Sequence, residues 1–153
     1  NKGRIVAQGP PLEVLPGASR LIEGGRFGLI NTLAARIDAV DDAYGVTRLS
    51  HPSGEILVAA RLAETSEARV TIKATDIALA RAPAETSVRT ILRGRISRIE
   101  VNGNALAFVT LDLIGGDKLI SAVTRLALDE LDLKLGSEVY ALVKSVALDE
   151  RIL

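Results

Sequence analysis

Short runs of alternating hydrophobic and polar residues, rich in β-branched side chains, follow one another from Phe27 onward. They are separated by Gly, Pro, Asn and Asp, a pattern typical of short antiparallel strands joined by tight turns. Asn102-Gly103-Asn104 and Gly115-Gly116-Asp117 lie between such runs and favour hairpins. The pattern therefore predicts a mostly β protein, with strands at Leu33–Val40, Val46–Leu49, Glu55–Ala60, Ala68–Lys73, Ile91–Val101, Ala105–Leu113, Lys118–Val123 and Glu138–Val143.

Two segments are predicted to be helical. Pro10–Leu15 has proline where the first turn of a helix tolerates it, and it ends against Pro16-Gly17. Thr124 is a suitable N-cap for a second helix, which we expect to continue to Leu135 because leucines recur at spacings of three and four.

The β region contains an internal repeat. Asn31–Ile37 parallels Thr90–Ile96 at an offset of 59 residues, and Lys73 parallels Lys144 at an offset of 71. The second copy has therefore gained 12 residues, about the length of the helix predicted from Thr124. Because domains this small bury only about 60% of their unfolded surface, we expect the two copies to pack together or against another chain.

The composition excludes several classes of function. Lys plus Arg and Asp plus Glu both number 19 in the 153 residues, and aromatic residues make up 3%, so neither an electrostatic groove nor a stacking platform for nucleic acid is expected. Without Cys and with one His, disulfides, thiolate zinc sites and Cys or His nucleophile dyads are excluded, and a His-based metal site is not expected. No apolar run approaches the roughly 20 residues of a membrane helix, which predicts a soluble protein. The absence of Met and the start at Asn1 indicate a piece of a longer chain.

The sequence offers few candidates for catalysis. There is no glycine-rich loop followed by Lys-Ser or Lys-Thr, so this chain is not expected to bind ATP in the usual way. The carboxylate pairs Asp41-Asp42 and Asp149-Glu150 lie at predicted strand ends, where a solvated acidic corner is the ordinary interpretation. His51 precedes Pro52-Ser53-Gly54 in a predicted hairpin loop, so we expect it on the surface, and we assign no catalytic residue.

One set of residues could bind an anion. Hydroxyl and cationic side chains flank the second copy: Ser87, Arg89, Thr124, Lys144 and Ser145. Together they would supply hydrogen-bond donors and positive charge to a small tetrahedral dianion. The residues alone leave the alternative open that Arg89 and Lys144 are ordinary strand-end charges and Ser87 a turn residue.

Two stretches resemble known families. Gly3–Leu15 resembles the closing hairpin and helix of an ABC transporter nucleotide-binding domain, and Thr86–Leu148 is similar to the molybdopterin-type oligobinding unit, an OB-like module of molybdate-handling proteins. Together they resemble the carboxy-terminal part of the molybdate ABC transporter ATP-binding subunit, without its ATPase core. The resemblance implies two tandem OB-like small β-barrels, with a short N-terminal helix and one short helix in the second barrel. The implied domains are residues 1–26 (tail of the nucleotide-binding domain and linker), 27–83 (first OB-like unit) and 84–153 (second, molybdate-binding type unit).

In that family the corresponding side chains surround molybdate or tungstate at a subunit interface, which implies an oxyanion site at Ser87, Arg89, Thr124, Lys144 and Ser145. Two departures mean fewer donors: Thr90 stands where members often have Asn, and Ala127 where some have Ser. The first copy lacks the Ser-x-Arg opening, so we expect no equivalent site there. No cofactor is implied for this chain, since ATP and Mg belong to the missing core.

The resemblance implies a regulatory and dimerisation domain that senses the oxyanion and regulates ATP-driven transport. Its expected partners are a second copy, a membrane-spanning permease subunit reached through the parent chain, and the oxyanion, with no nucleic acid. The expected location is cytoplasmic, at the inner face of the cell membrane. The alternative is a purely structural OB-like interaction domain of an ABC transporter ATPase for another solute, which Thr90 and Ala127 slightly favour.

Overall fold

The computed structural model describes residues 29–60, 67–103 and 105–148, with Asn102 and Leu148 described by their backbones alone. These residues form a mostly β fold, as predicted. The strands are β1 (Ile30–Asp41), β2 (Val46–His51), β3 (Gly54–Val58), β4 (Glu67–Lys73), β5 (Ile77–Ala80), β6 (Thr90–Asn102), β7 (Leu106–Leu113), β8 (Lys118–Thr124), β9 (Glu138–Val143) and β10 (Ala147–Leu148).

All eight predicted strands are present, and β5 and β10 were not predicted. A 3-10 turn, Ala74–Asp76, precedes β5. The helix α1 (Arg125–Glu130) begins after its predicted N-cap but ends five residues before Leu135. It ends early because the chain turns at Asp132, whose φ of 53° is outside the helical region. The helix predicted at Pro10–Leu15 lies outside the described residues.

The strands form two antiparallel five-stranded sheets of the same order. The first sheet is ordered β10-β4-β1-β2-β3 and the second β5-β9-β6-β7-β8. Strands β1–β4 therefore correspond to β6–β9, and the fifth strand of each half, β5 or β10, pairs with the sheet of the other half. This exchange connects the halves through backbone hydrogen bonds as well as through packing.

Strand register defines the repeat residue by residue. Asn31 pairs with Ile72, as Thr90 pairs with Val143, which reproduces the offsets of 59 and 71. The register shift in β1 between Ile37 and Ala39 recurs in β6 between Ile96 and Arg98, at the same offset of 59. In the third strand of each half, Ile56 of β3 corresponds to Leu119 of β8, an offset of 63. The offset rises from 63 to 71 between the third and the fourth strand. Eight of the twelve additional residues therefore fall in the connection that contains α1.

One hydrophobic cluster spans both sheets. Its fully buried members come from the inward faces of both sheets and include Leu33, Leu49, Ile56, Val70, Leu92, Ile96, Leu111 and Leu119. Since one contiguous cluster contains residues of both sheets, neither half has a separate core. The expectation that the two copies pack together is therefore confirmed.

Two buried polar side chains at equivalent positions also join the halves. The Asn31 Oδ1 accepts the Ile120 N–H at 2.7 Å, and its Nδ2 donates to the carbonyls of Ile120 at 2.9 Å and Ile72 at 3.2 Å. In the other half, the Thr90 Oγ1 accepts the Leu57 N–H at 3.0 Å. Each residue near the start of β1 or β6 thus satisfies the backbone of the opposite half's third strand.

His51 is buried, so its expected surface position is wrong. Its side chain is 2% exposed, with Nε2 at 2.8 Å from the Asp117 Oδ2 and Nδ1 accepting the Ser53 N–H at 3.1 Å. The β2–β3 hairpin of the first half packs against the β7–β8 hairpin of the second, where Pro52 lies over Gly115. This contact buries the imidazole. The burial was not predicted, because His51 and its partner Asp117 are 66 residues apart in sequence.

Candidate functional site

Four of the five predicted site residues lie at one end of the second sheet. Ser87 and Arg89 precede β6, whereas Lys144 and Ser145 follow β9. Thr90 pairs with Val143 in antiparallel register, so Arg89, just before β6, and Lys144, just after β9, stand at the next register position. All four residues are exposed. We call Ser87, Arg89, Lys144 and Ser145 the cationic corner.

The backbone around the cationic corner is held by local hydrogen bonds. The Thr86 Oγ1 accepts the Val88 N–H at 3.1 Å, and the Arg89 guanidinium donates to the Thr86 carbonyl. The Lys144 N–H donates to the Asp76 carbonyl at 2.9 Å, which connects this residue to the 3-10 turn before β5. The Asp76 contact was not predicted, since a backbone carbonyl has no signature in sequence.

Among the described residues, no acid neutralises Arg89 or Lys144. Within residues 29–60, 67–103 and 105–148, neither side chain forms an ion pair with a carboxylate. Two cations that are adjacent in register and free of carboxylates attract a small dianion, which can accept several hydrogen bonds at once. The geometry of the corner is therefore compatible with oxyanion binding.

Thr124 lies away from the cationic corner within one chain. It pairs with Leu106, which in turn pairs with Asn102, so its register position is at the opposite end of β6 from Thr90. The Thr124 Oγ1 accepts the Ala127 N–H at 3.0 Å and thereby caps α1. The N-cap prediction is confirmed, and the hydroxyl proton stays available for donation, because capping uses only an oxygen lone pair.

Within the chain, β8 lies against the corner of the first half where the start of β1 meets the 3-10 turn after β4. Ser121 Oγ donates to the Ile77 carbonyl at 2.8 Å, and Ala122 packs on the cluster that contains Leu29 and Ala74. Ala74 is the counterpart of Ser145, and Ile30 stands where the second half has Arg89. The position equivalent to the cationic corner thus lacks the arginine.

One of the two sequence departures has a structural explanation. Thr90 is 3% exposed and its hydroxyl accepts the Leu57 N–H, so it is not displayed with Arg89. Ala127 lies in the first turn of α1, where its backbone N–H serves the cap. Any residue would supply that N–H, so nothing in the structure explains the alanine.

The described residues offer neither a metal cluster nor a membrane-spanning helix. Across the described ranges, no group of three or more His, Asp or Glu residues could hold a metal ion. No helix in the same ranges is both long and apolar enough to cross a membrane.

The second half matches a known family model. Residues 86–149, from the loop before β6 through β10, match the TOBE domain. This part of the chain belongs to the TOBE family. The TOBE domain contains all five predicted site residues, although Thr124 lies at the other end of its sheet.

Relatives match almost the whole chain. The molybdenum import ATP-binding protein ModC of Rhodopseudomonas palustris (strain HaA2) is 34% identical over 151 residues, covering 95% of this chain and 40% of the relative. ModC of Methylococcus capsulatus (strain ATCC 33009 / NCIMB 11132 / Bath) is 35% identical over 156 residues, covering 97% of this chain and 42% of the relative. The chain thus spans about two fifths of these relatives. The resemblance to molybdate transport ATP-binding subunits, drawn from the sequence, is confirmed.

A solved structure shares the fold. The cytoplasmic molybdate-binding protein ModG, in a crystal structure with molybdate bound, superposes with a TM-score of 0.70 at 27% identity. The match covers 77% of this chain and 94% of ModG. The two-sheet arrangement around the TOBE domain therefore also occurs in a molybdate-binding protein.

Proposed function

We propose that this chain is the regulatory and dimerisation domain of the ATP-binding subunit of a molybdate or tungstate ABC importer. Residues 27–83 and 84–153 act as two OB-like barrels with exchanged fifth strands, and residues 1–26 are the tail and linker of a nucleotide-binding domain. The parent chain would hold ATP and Mg, contact a membrane-spanning permease, and lie at the cytoplasmic face of the membrane. The observation that carries the proposal is the pair of carboxylate-free cations, Arg89 and Lys144, adjacent in register in a fold shared with ModG.

The proposed oxyanion site combines two copies of the chain. The cationic corner of one copy supplies a guanidinium, an ammonium and two hydroxyls, and Thr124 of a second copy supplies a further hydroxyl. Thr124 comes from the second copy because the register places it at the far end of its own sheet. Enclosure between two chains would remove water, which strengthens charge-assisted hydrogen bonds to the dianion. Discrimination against sulfate would rest on cavity size and donor placement, since the charge and shape of the anions are alike.

Regulation follows from the position of the site between chains. A ligand shifts a conformational equilibrium only by its difference in affinity for the two states. Bound oxyanion would therefore favour the arrangement of the two subunits in which the cationic corner and Thr124 meet. If that arrangement is the less active one, transport slows when molybdate is plentiful.

The first test is calorimetric titration of the chain with molybdate, tungstate and sulfate. We expect heat from molybdate or tungstate, and about a tenfold or greater loss of affinity in Arg89→Gln and Lys144→Gln, since each removes a charge-assisted hydrogen bond. Arg98→Gln is a matched control, because Arg98 pairs with Glu100 on a different part of β6. Undiminished affinity in both variants would mean that the site lies elsewhere.

The second test asks whether the site joins two chains. A chain with Arg89→Gln and a chain with Thr124→Ala are each expected to bind weakly as homodimers. A mixed dimer contains one site with both wild-type residues and should regain about half of the wild-type stoichiometry. No recovery in the mixture, with mixed dimers verified by mass spectrometry, argues against a two-chain site.

The structural alternative is a domain that pairs subunits without an oxyanion. It is favoured by the Arg89 guanidinium, which already donates to the Thr86 carbonyl, and by the buried position of Thr90. Under this alternative, sedimentation shows a dimer whereas none of the three anions gives heat. Heat from molybdate that disappears in Arg89→Gln excludes it.

A further inference from the structure

A pocket lies on the outer face of the second sheet, away from the cationic corner. Its volume is about 400 Å³, within the range of small-molecule sites. Arg93 and Arg95 project from β6 opposite the buried Leu92 and Ile96, because side chains alternate along a strand. Their register partners on β9 are Tyr140 and Glu138, and Arg81 follows the end of β5. We call this the outer pocket.

The two carboxylates of the outer pocket are already matched by cations. The Glu138 Oε2 lies 2.7 Å from the Arg95 Nη2, and Asp112 accepts a hydrogen bond from Lys118. The hydrogen bond from Lys118 holds the pKa of Asp112 below its usual value, against the opposing effect of burial. Both acids are therefore already paired with cations of this chain.

Two arginines of the pocket have no carboxylate partner in the part of the chain that the structure describes. Among the described residues, the Arg81 Nη1 donates to the Leu131 carbonyl at 3.2 Å, and the Arg93 Cζ lies 5.7 Å from the Tyr140 ring centroid. Stacking on a ring face leaves the edge N–H groups of a guanidinium free to bind a carboxylate or phosphate in a bidentate manner. The pocket thus has unsatisfied donors on one side.

The remaining wall is apolar. Ile114, the neighbour of Arg93 on the β7 side, donates its N–H to the Arg93 carbonyl at 3.4 Å and is 49% exposed. The Tyr140 ring also lines the pocket, whereas the Leu113 and Val139 side chains are buried in the core on the opposite face of the sheet. An exposed branched side chain beside unpaired guanidiniums suits a ligand that has both an apolar and an anionic part.

We propose that the outer pocket binds a small organic anion, with its carboxylate or phosphate on Arg81 and Arg93 and its apolar group against Ile114 and Tyr140. The pocket is distinct from the proposed oxyanion site, which lies at the start of β6 and the end of β9. An inorganic tetrahedral anion would not use the apolar wall, so the two sites select different ligands.

The test is NMR titration of the ¹⁵N-labelled chain with phenyl phosphate, compared with inorganic phosphate and phenol. Phenyl phosphate is expected to give saturable shifts of the amides at 93–95, 112–114 and 138–140, and to bind more tightly than either comparison compound. Arg93→Gln should weaken this binding about tenfold, whereas Arg98→Gln, outside the pocket, should leave it within about twofold. The dispersed spectrum of each variant reports whether it is folded.

Three results would overturn the proposal. They are shifts confined to other residues, unchanged affinity in Arg93→Gln, and equal affinity for phenyl phosphate and either comparison compound. Failure here is separable from failure of the oxyanion site, because Arg93→Gln should retain molybdate binding and Arg89→Gln should retain phenyl phosphate binding.

Discussion

Asn31 is expected to contribute more to the junction between the halves than any other single polar side chain described here. β8 is an edge strand, so the Ile120 N–H and C=O that face away from β7 would have no partner in the sheet without Asn31. The amide of Asn31 accepts from one and donates to the other, at 2.7 and 2.9 Å, in place of a neighbouring strand. Because Asn31 is fully buried, water cannot replace it without rearrangement.

Asn31→Ala is therefore expected to lower the free energy of unfolding by about 3 kcal/mol, since a buried polar group left without its partner costs roughly 1–3 kcal/mol and two groups on Ile120 are affected. Thr90→Val is the matched comparison. It removes one acceptor, for the Leu57 N–H, at the equivalent position of the other half, and should cost about 1–2 kcal/mol.

Urea denaturation followed by circular dichroism measures both changes, and hydrogen exchange locates them. The Ile120 amide should exchange faster in Asn31→Ala, and the Leu57 amide faster in Thr90→Val, each beyond the change expected from global stability. A loss below about 0.5 kcal/mol in Asn31→Ala, with Ile120 still protected, would refute the reasoning.

Two further changes test the hairpin junction and a surface ion pair. Gly115→Ala should lower the free energy of unfolding by about 2–3 kcal/mol in urea denaturation, because the new Cβ would lie 2.7 Å from the Pro52 Cβ. Gly116→Ala is the control: it has nearly the same φ but nothing within 4 Å, and should cost about 1 kcal/mol. Equal losses in the two variants would contradict the steric argument. Lys118→Gln should raise the pKa of Asp112 toward its ordinary value, measured by NMR titration of the carboxyl carbon. Since the folded pKa of Asp112 is lowered, its contribution to stability is present above the ordinary value of 3.8 and is lost as the pH falls through the folded pKa. The variant should therefore lose less stability on acidification. An Asp112 pKa that is the same in the variant as in the wild type would contradict this.

Local patterns were enough to predict most of the elements. A period-two alternation is imposed by the pleat of each strand, so β1–β4 and β6–β9 were visible without knowledge of their partners. The start of α1 was equally local, because capping involves Thr124 and an N–H three residues later. The predicted end at Leu135 was wrong, since the leucine spacing continues past Glu130 while the backbone does not.

The sequence by itself determined a mostly β chain, its internal repeat and the hydroxyl and cationic residues that flank the second copy. Only the tertiary structure decided that β5 and β10 exchange sheets, that His51 is buried, and that Thr124 lies far from Arg89 in register. The physical reason is the range of the interactions. Alternation and capping act within a few residues, whereas strand exchange and burial of an imidazole depend on partners 60 or more residues away, which no local pattern specifies.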